Sequence, residues 1–195
     1  MKKTANFLFE VGMLKKTPRT GYQFLGSGAE SVADHSFRVT IIGYILASQT
    51  EGADRDKTVL MCLFHDLHEA RTGDMNYVNK RYNSVDEKKA VSHMTEGLSF
   101  GAEIASLTNE FNESSTIEAK ISHDADQIDL ILELKREKDL GNKYADEWIF
   151  YAKKRLITDK AREMADQILD TDQAEWWFDK NIDLWVNGSK TNHNK

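Results

Sequence analysis

A chain of 195 residues with 11 glycines, one proline and one cysteine lacks the turn residues of a sheet-rich fold and cannot be a disulfide scaffold. Its net charge of −6, with the basic residues scattered along the chain, argues against a surface that binds polymeric nucleic acid. With 40% apolar residues, the composition predicts one all-α globular domain. The longest apolar run, 39–47, is about half of a membrane span, so we expect a cytoplasmic protein that makes no membrane contact.

The N-terminal segment is predicted to be an amphipathic helix. Phe7, Val11 and Leu14 recur at helical spacing, and Glu10 interrupts the apolar run that a signal peptide would need. The segment 17–30 that follows contains Pro18 and several glycines. This composition predicts a loop, and ordered loops of this length are often functional.

Capping residues mark the starts of four further helices, at Ser31 with Asp34, at Asp54, at Ser84 with Glu87, and at Ser115 with Glu118. The helix that starts at Ser31 should run to about Ser48, and the helix that starts at Asp54 should end before Gly73. The helix that starts at Ser115 should span about 25 residues and end at Gly141. The C-terminal part predicts two or three more helices, whose tryptophans we assign to the core or to a dimer surface. The polar stretch 188–195 is expected to be a flexible tail, which leaves 1–187 as the domain.

Three of these helices carry histidines or carboxylates toward the interior. His65 and Asp66 lie at the polar end of an apolar helix, and Glu69 shares a helix face with both of them. His35 interrupts an apolar face one turn before Val39. On the long helix, Asp126 is predicted to be the inner carboxylate, with Asp124 and Asp129 exposed beside it. Buried carboxylates need an ion pair or a metal ion, so the combination indicates a metal site made of imidazole and carboxylate.

Spacing excludes several other helical sites. No Glu-x-x-His pair of a di-iron bundle and no His-Glu-x-x-His zinc motif is present, and a Walker loop and a Gly-x-Ser-x-Gly elbow are also missing. Taken singly, His35 would be interpreted as a hydrogen-bonded core histidine. His68, His93 and His123 are expected to face solvent or to support the metal-binding residues without binding the metal themselves. Cys62 is expected to be a buried small hydrophobic residue.

The order His35, His65-Asp66 and Asp126 resembles the signature of the HD-domain metal-dependent phosphohydrolases. The flanking sequence is similar to that of the 5'-deoxynucleotidase family. This similarity extends over the segments 14–22, 30–35, 64–69, 72–74, 118–120 and 126–127.

The resemblance implies a fold, an activity and a set of residue roles. The fold would be an all-α HD-domain helical bundle, and the protein would be a homodimer. His35, His65, Asp66 and Asp126 would bind one divalent metal ion, which could be Mn, Co, Fe, Zn or Mg. The resemblance also gives Glu69 the role of catalytic acid or base, Arg19 that of the phosphate ligand, and Asp74 that of a partner for the sugar 3'-hydroxyl, with Asp66 next to the substrate as well.

Three functions follow from these observations. The first is hydrolysis of deoxyribonucleoside 5'-monophosphates to deoxynucleoside and phosphate. The second keeps the site and changes the substrate to another phosphate ester, such as a cyclic dinucleotide or a nucleoside polyphosphate. The third is a non-catalytic nucleotide sensor.

Overall fold

The computed structural model of the chain describes residues 2–178 and 185. Within these residues the regular structure is α-helical, apart from one 3₁₀ turn (Gly12–Lys15) and one isolated bridge between Pro18 and Ser31. The α-helices of the described residues are α1 (Lys2–Val11), α2 (Tyr22–Leu25), α3 (Val32–Ser48), α4 (Arg55–Phe64), α5 (Glu69–Thr72), α6 (Tyr77–Tyr82), α7 (Glu87–Thr95), α8 (Gly101–Glu113), α9 (Ile117–Asp139), α10 (Ala145–Arg155) and α11 (Asp159–Asp170). The prediction of a single all-α domain is confirmed, whereas the predicted tail 188–195 lies outside the described residues.

Helix α9 is the centre of the bundle. It packs against α3, α4, α8, α10 and α11, and its side chains Ile121, Ala125 and Ile128 are fully buried. Its 23 residues match the predicted length of the helix before Gly141. Because α3, α4 and α9 meet in this way, the polar residues that they carry are brought to one end of a shared apolar core.

Helices α3 and α4 approach each other closely at Gly43. A Cβ built at this glycine would lie 2.5 Å from the Sγ atom of Cys62, so a larger residue would push the two helices apart. Cys62 itself is fully buried, as the sequence predicted. This contact fixes the distance between the helix that carries His35 and the helix that leads to His65.

A second apolar cluster joins the N-terminal segment to α7 and α8. Phe7 and Leu14 are buried against Val91, Met94 and Ile104. The predicted helix face of the N-terminus is therefore confirmed. The described part of the chain contains no helix with the length and apolarity needed to cross a membrane.

Two of the predicted helix starts are confirmed. Ser31 and Asp34 form a reciprocal capping box at α3, and the Asp54 side chain accepts the backbone N–H of Lys57 at α4. Helix α3 also ends at Ser48 as predicted. The register of His35 on α3 thus follows from local sequence.

The other two predicted capping boxes are wrong. The N-cap of α7 is Asp86, not Ser84, and that of α9 is Thr116, not Ser115. In each case two residues able to cap a helix lie within one turn, so local sequence does not decide which one is used. Glu118 instead accepts the backbone N–H of Asp54 at 2.9 Å, which ties α9 to the start of α4.

Candidate functional site

A pocket with a volume of 720 Å³ opens beside α9. One part of its wall is charged and includes Arg19, Asp66, Glu69, Asp74 and Asp126. The other part is aromatic and apolar and includes Tyr22, Leu130, Leu134, Trp148 and Tyr151. This combination of size and lining is typical of a site for a small organic ligand with one charged end.

His35 lies at the base of the charged part. Its side chain is fully buried, and its Nδ1 atom is 2.6 Å from the Asp129 carboxylate. Its Nε2 atom has no hydrogen-bond partner within the described residues, although carboxylate oxygens of Asp126 and Asp66 lie 3.3 and 3.5 Å away. Burial and the charge of Arg19 lower the pKa of His35, but the neighbouring carboxylates of Asp126 and Asp129 outweigh them and raise it to about 10.

His65 and Asp66 lie at the end of α4, where residues 65–68 form a turn before α5. The His65 Nδ1–H donates to the carbonyl of Cys62 at 2.7 Å, and Nε2 is again buried without a hydrogen-bond partner among the described residues. The nearest Asp66 oxygen is 3.2 Å from this Nε2 atom. Although burial would raise the pKa of Asp66, the charges of His65, His35 and Arg19 hold it below its usual range.

The structure brings the predicted metal-binding residues together. Candidate ligand atoms of His35, His65 and Asp126 all lie within 4.8 Å of one another, and Asp66 adjoins both histidines. Two buried imidazole nitrogens that lack a hydrogen-bond partner in the described part of the chain face two carboxylates, and together they form a donor set suited to a divalent cation. The residues present therefore fit such an ion.

Arg19 reaches this cluster from the loop before α2. Its Nη1 atom is 3.4 Å from Asp66 and 3.5 Å from Asp74, and Nη2 is 3.9 Å from Asp126. The loop is closed at its base, because the Arg19 N–H donates to the carbonyl of Glu30 at 2.9 Å. The loop predicted for 17–30 thus delivers a guanidinium to the pocket, interrupted by the short helix α2.

Glu69, in the first turn of α5, is 8% exposed and lines the same pocket. Its Oε2 atom is buried and has no hydrogen-bond partner in the described part of the chain. Burial, followed by the charges of Asp66 and Asp74, raises the pKa of Glu69 to about 9. Glu69 therefore places a buried carboxyl group, with a raised pKa, in the wall of the pocket.

Asp74 also lies in the pocket wall, but much of its carboxylate is engaged by the protein. Its Oδ2 atom accepts the backbone N–H of Thr20 at 2.5 Å and the Thr20 hydroxyl at 2.8 Å. Its Oδ1 atom faces Arg19. Asp74 therefore connects the Arg19 loop to the segment after α5.

The prediction that Asp124 and Asp129 are exposed is wrong. Their exposed fractions are 0% and 1%, whereas Asp126 lies at the pocket surface. Asp124 accepts the backbone N–H groups of Ile157 and Thr158 at 2.6 and 2.8 Å. Asp129 is paired with His35 and Arg38. These partners lie far away in sequence. The one sequence signal for the burial of Asp129 was spacing: Asp129 lies three residues after Asp126, and Arg38 lies three residues after His35, so each pair shares a helix face.

The aromatic wall of the pocket was also missed. The tryptophans were assigned to the core or to a dimer surface; Trp176, Trp177 and Trp185 are exposed in the single chain, which does not test a dimer surface. Trp148, however, packs on the core from α10 and lines the pocket. No feature of the sequence distinguishes it from the other three.

His68, His93 and His123 lie outside the cluster. His93 is exposed, and the Nε2 atom of His68 is 3.7 Å from Glu87. His123 stacks on Phe111 and bonds to the Phe111 carbonyl at 2.8 Å. The expectation that none of the three joins His35 and His65 as a candidate ligand agrees with these positions.

Comparison with known proteins identifies relatives over most of the chain. The family model described as HD domain matches residues 11–167. The 5'-deoxynucleotidase HDDC2 of Bos taurus is 32% identical over 143 residues, which cover 70% of this chain and 69% of the bovine protein. The protein of the same name from Homo sapiens is 30% identical over 143 residues, covering 70% and 69%.

Among solved structures, a conserved hypothetical protein of Pyrococcus furiosus superposes with a TM-score of 0.71 at 28% identity. The superposition covers 84% of this chain and 98% of that chain. The region matched by the family model contains every residue of the pocket named above.

Proposed function

Because this chain belongs to the HD domain family, we propose that it is a metal-dependent 5'-deoxynucleotidase. It would hydrolyse deoxyribonucleoside 5'-monophosphates to deoxynucleoside and phosphate. The observation that carries the proposal is a convergence at one end of a 720 Å³ pocket. Two buried imidazoles, whose Nε2 atoms have no hydrogen-bond partner among the described residues, meet two carboxylates and Arg19 there. The opposite, aromatic part of that pocket suits a nucleoside.

His35, His65, Asp66 and Asp126 would hold one divalent ion, and their mixed nitrogen and oxygen donors suit Mn, Co, Fe, Zn or Mg. Such an ion, when bound, supplies a Lewis acid for the phosphate and lowers the pKa of bound water. The protein contributes the fixed orientation of the ligands. The Nδ1–H of His65 is anchored by the Cys62 carbonyl, and that of His35 by Asp129, so both Nε2 atoms point into the site.

Arg19 would bind the 5'-phosphate. Its guanidinium lies among three carboxylates, and a phosphate entering the pocket meets its planar array of donors. This charge also offsets the repulsion between the phosphate and the acidic wall. Arg19 thus orients the phosphorus atom for attack by water.

Glu69 would donate a proton from Oε2, the buried oxygen without a hydrogen-bond partner among the described residues. In hydrolysis, a water oxygen bonds to phosphorus, the bond from phosphorus to the 5'-oxygen breaks, and the leaving oxygen takes up a proton. A carboxyl group whose pKa is raised by burial is suited to supply it. Asp74 would accept the 3'-hydroxyl of the sugar at Oδ1, since Oδ2 is already occupied by Thr20.

Phosphate release tests the proposal. Protein stripped of metal with a chelator should be inactive, and restoring a divalent ion should restore release of phosphate from deoxynucleoside 5'-monophosphates. Arg19→Ala should lower kcat/KM by about 100-fold, as expected for loss of a charged hydrogen-bond pair. Arg55→Ala, at an exposed arginine beside Tyr44, is the control and should be neutral. Absence of release with any metal would reject the proposal.

A second candidate keeps the site and changes the substrate to another phosphate ester. Lys80 and Arg155 line the pocket and form no ion pair with a carboxylate in the described part of the chain, which favours a substrate with additional negative charge. A cyclic dinucleotide or a nucleoside polyphosphate would meet this description. If Arg19→Ala spared activity on the best substrate, this candidate would replace the first. A non-catalytic sensor would bind nucleotide and release no phosphate.

We also propose, from the family resemblance, that the chain is a cytoplasmic homodimer. Helix α3 exposes Phe37, Ile41 and Tyr44, whose spacing places them along one side of the helix. A second copy of the chain would cover this apolar side. Light scattering should give the mass of two chains, and Phe37→Glu should give the mass of one. A wild-type mass of one chain would contradict this part of the proposal.

A further inference from the structure

A second charged cluster lies directly behind His35, on the side away from its Nε2 atom. At its centre is Arg38, whose three nitrogens contact three different carboxylates. Nε is 2.5 Å from Asp129, Nη1 is 2.6 Å from Glu133 and Nη2 is 3.0 Å from Glu30. The exposed fractions of these carboxylate side chains are 1%, 9% and 9%. The Arg38 side chain itself is 34% exposed, so the cluster reaches from the interior to the surface and joins α3 to α9 and to the loop before α3.

The contact between Asp129 and His35 fixes the orientation of the imidazole and determines which ring nitrogen faces the metal site. The Asp129 carboxylate can only accept, so the proton of a neutral His35 ring lies on Nδ1, 2.6 Å from Asp129. The lone pair is then on Nε2, the atom that faces Asp66 and Asp126. Without Asp129 the ring would be free to adopt the other tautomer or to rotate.

Asp129 in turn depends on Arg38. A carboxylate that is 1% exposed is unfavourable unless it is paired, and one His35 N–H does not satisfy both of its oxygens. The Arg38 Nε–H donates to Oδ1, which leaves Oδ2 for His35. Glu133 and Glu30 hold the other two nitrogens, so the guanidinium is fixed from three sides.

The same carboxylates do not form a second metal site. Glu30, His35 and Asp129 bring possible ligand atoms within 4.8 Å of one another, but the Arg38 guanidinium already occupies the position of the cation. Glu133 is further engaged by the hydroxyl of Tyr22 at 3.1 Å. The cluster is therefore complete as a set of hydrogen bonds.

We propose that Asp129 and Arg38 are positioning residues that hold His35 with its Nε2 lone pair directed at the metal site. This inference rests on the proposed function in that it takes His35 to be a metal ligand. Residues behind a ligand typically contribute 10- to 100-fold to metal affinity, and loss of either residue should weaken binding by about that factor. The effect should appear in metal binding itself, without substrate.

The experiment is calorimetric titration of the chelator-stripped full chain with Mn²⁺ alone. Asp129→Asn preserves the shape of the side chain and removes its charge, and we expect Mn²⁺ affinity to fall about 10- to 100-fold. Asp124→Asn is the matched control, because Asp124 is equally buried on α9 but, within the described residues, its carboxylate bonds to Ile157 and Thr158 and not to His35. It should lower the unfolding temperature and leave Mn²⁺ affinity within about threefold, since it does not touch His35.

Arg38→Lys provides a second variant if Asp129→Asn does not fold. Lysine keeps the charge and cannot contact three carboxylates in one plane, so Mn²⁺ affinity should again fall. If Asp129→Asn folds and binds Mn²⁺ with wild-type affinity, the inference is overturned and the proposed function stays intact. If Asp129→Asn does not fold, the same conclusion follows from wild-type Mn²⁺ affinity in Arg38→Lys. An equal loss in Asp124→Asn would also overturn it, because the effect would then be structural. A wild-type chain that bound no divalent ion would overturn the proposed function and this inference with it.

Discussion

The Oδ2 atom of Asp74 accepts both the backbone N–H and the hydroxyl of Thr20, at 2.5 and 2.8 Å. Thr20 directly follows Arg19, so this pair of bonds determines where the loop presents its guanidinium. The pocket wall is thus assembled from two segments that are 54 residues apart in sequence. The affinity for a phosphate should therefore depend on Thr20, although Thr20 does not itself contact the phosphate.

Thr20→Val tests this dependence. The substitution keeps the shape of the side chain and removes one donor to Asp74, and a lost hydrogen bond of about 1 kcal/mol should raise KM about fivefold with kcat within about twofold. Steady-state kinetics on a deoxynucleoside 5'-monophosphate measures both. Thr17→Val is the control, since the Thr17 hydroxyl donates to the Met13 carbonyl in the preceding 3₁₀ turn and not to Asp74. Equal KM values for Thr20→Val and wild type would show that Arg19 is positioned in another way.

Glu69→Gln should remove the proton donor while preserving the pocket. We expect kcat to fall by about 100- to 10,000-fold, as is typical for loss of a general acid or base, with Mn²⁺ affinity within about threefold. Glu103→Gln replaces an exposed carboxylate in the first turn of α8 and should be neutral. Full activity in Glu69→Gln or Glu69→Ala would remove Glu69 from the mechanism.

Glu30 should make the stability of the metal-free protein depend on pH. Burial, followed by the charge of Asp129, raises the pKa of Glu30 from 4.5 to about 7. The folded state then binds this proton more tightly than the unfolded state does. The stabilisation is complete below about pH 4.5 and is lost as the pH rises through about 7.

Glu30→Gln cannot titrate, so its free energy of unfolding should fall less between about pH 5 and about pH 8. At about 1.4 kcal/mol per pKa unit, the difference should be about 1 to 3 kcal/mol. Urea unfolding at several pH values measures it, with Glu51→Gln at an exposed position as the control. Parallel profiles for wild type and Glu30→Gln would contradict the expectation.

Cys62 should be inert in the folded protein. It is fully buried against Gly43, and burial raises the pKa of its thiol to about 12. An aromatic disulfide reagent should therefore release no chromophore from the native chain at about pH 8, because the thiolate is the reactive form. One thiol per chain should react after denaturation. Rapid reaction of the native protein would show that α3 and α4 separate readily.

The cluster of candidate ligands was predicted from local signals together with the resemblance to the HD-domain family. His65 and Asp66 are adjacent, and the capping box at Ser31 fixes the register of His35 on α3. The helical fold followed from the scarcity of glycine and proline. These features need no knowledge of which helix packs against which.

The second charged cluster was not predictable in the same way. Whether an aspartate on α9 is buried depends on its partners, and Arg38 lies 91 residues from Asp129 in sequence. Local pattern assigned the inner position to Asp126 alone, whereas tertiary pairing buries Asp124 and Asp129 more deeply. Trp148 shows the same limitation, because only the packing of α10 against α9 turns it toward the pocket.

The most direct test of the central claim is the release of phosphate by purified, metal-stripped protein across a matrix of divalent metals and substrates. The substrates should include deoxynucleoside 5'-monophosphates, ribonucleoside 5'-monophosphates, a nucleoside triphosphate and a cyclic dinucleotide. We predict metal-dependent phosphate release with the highest kcat/KM for the deoxynucleoside 5'-monophosphates. No release from these substrates with any metal, or a higher kcat/KM for the triphosphate or the cyclic dinucleotide, would contradict the claim.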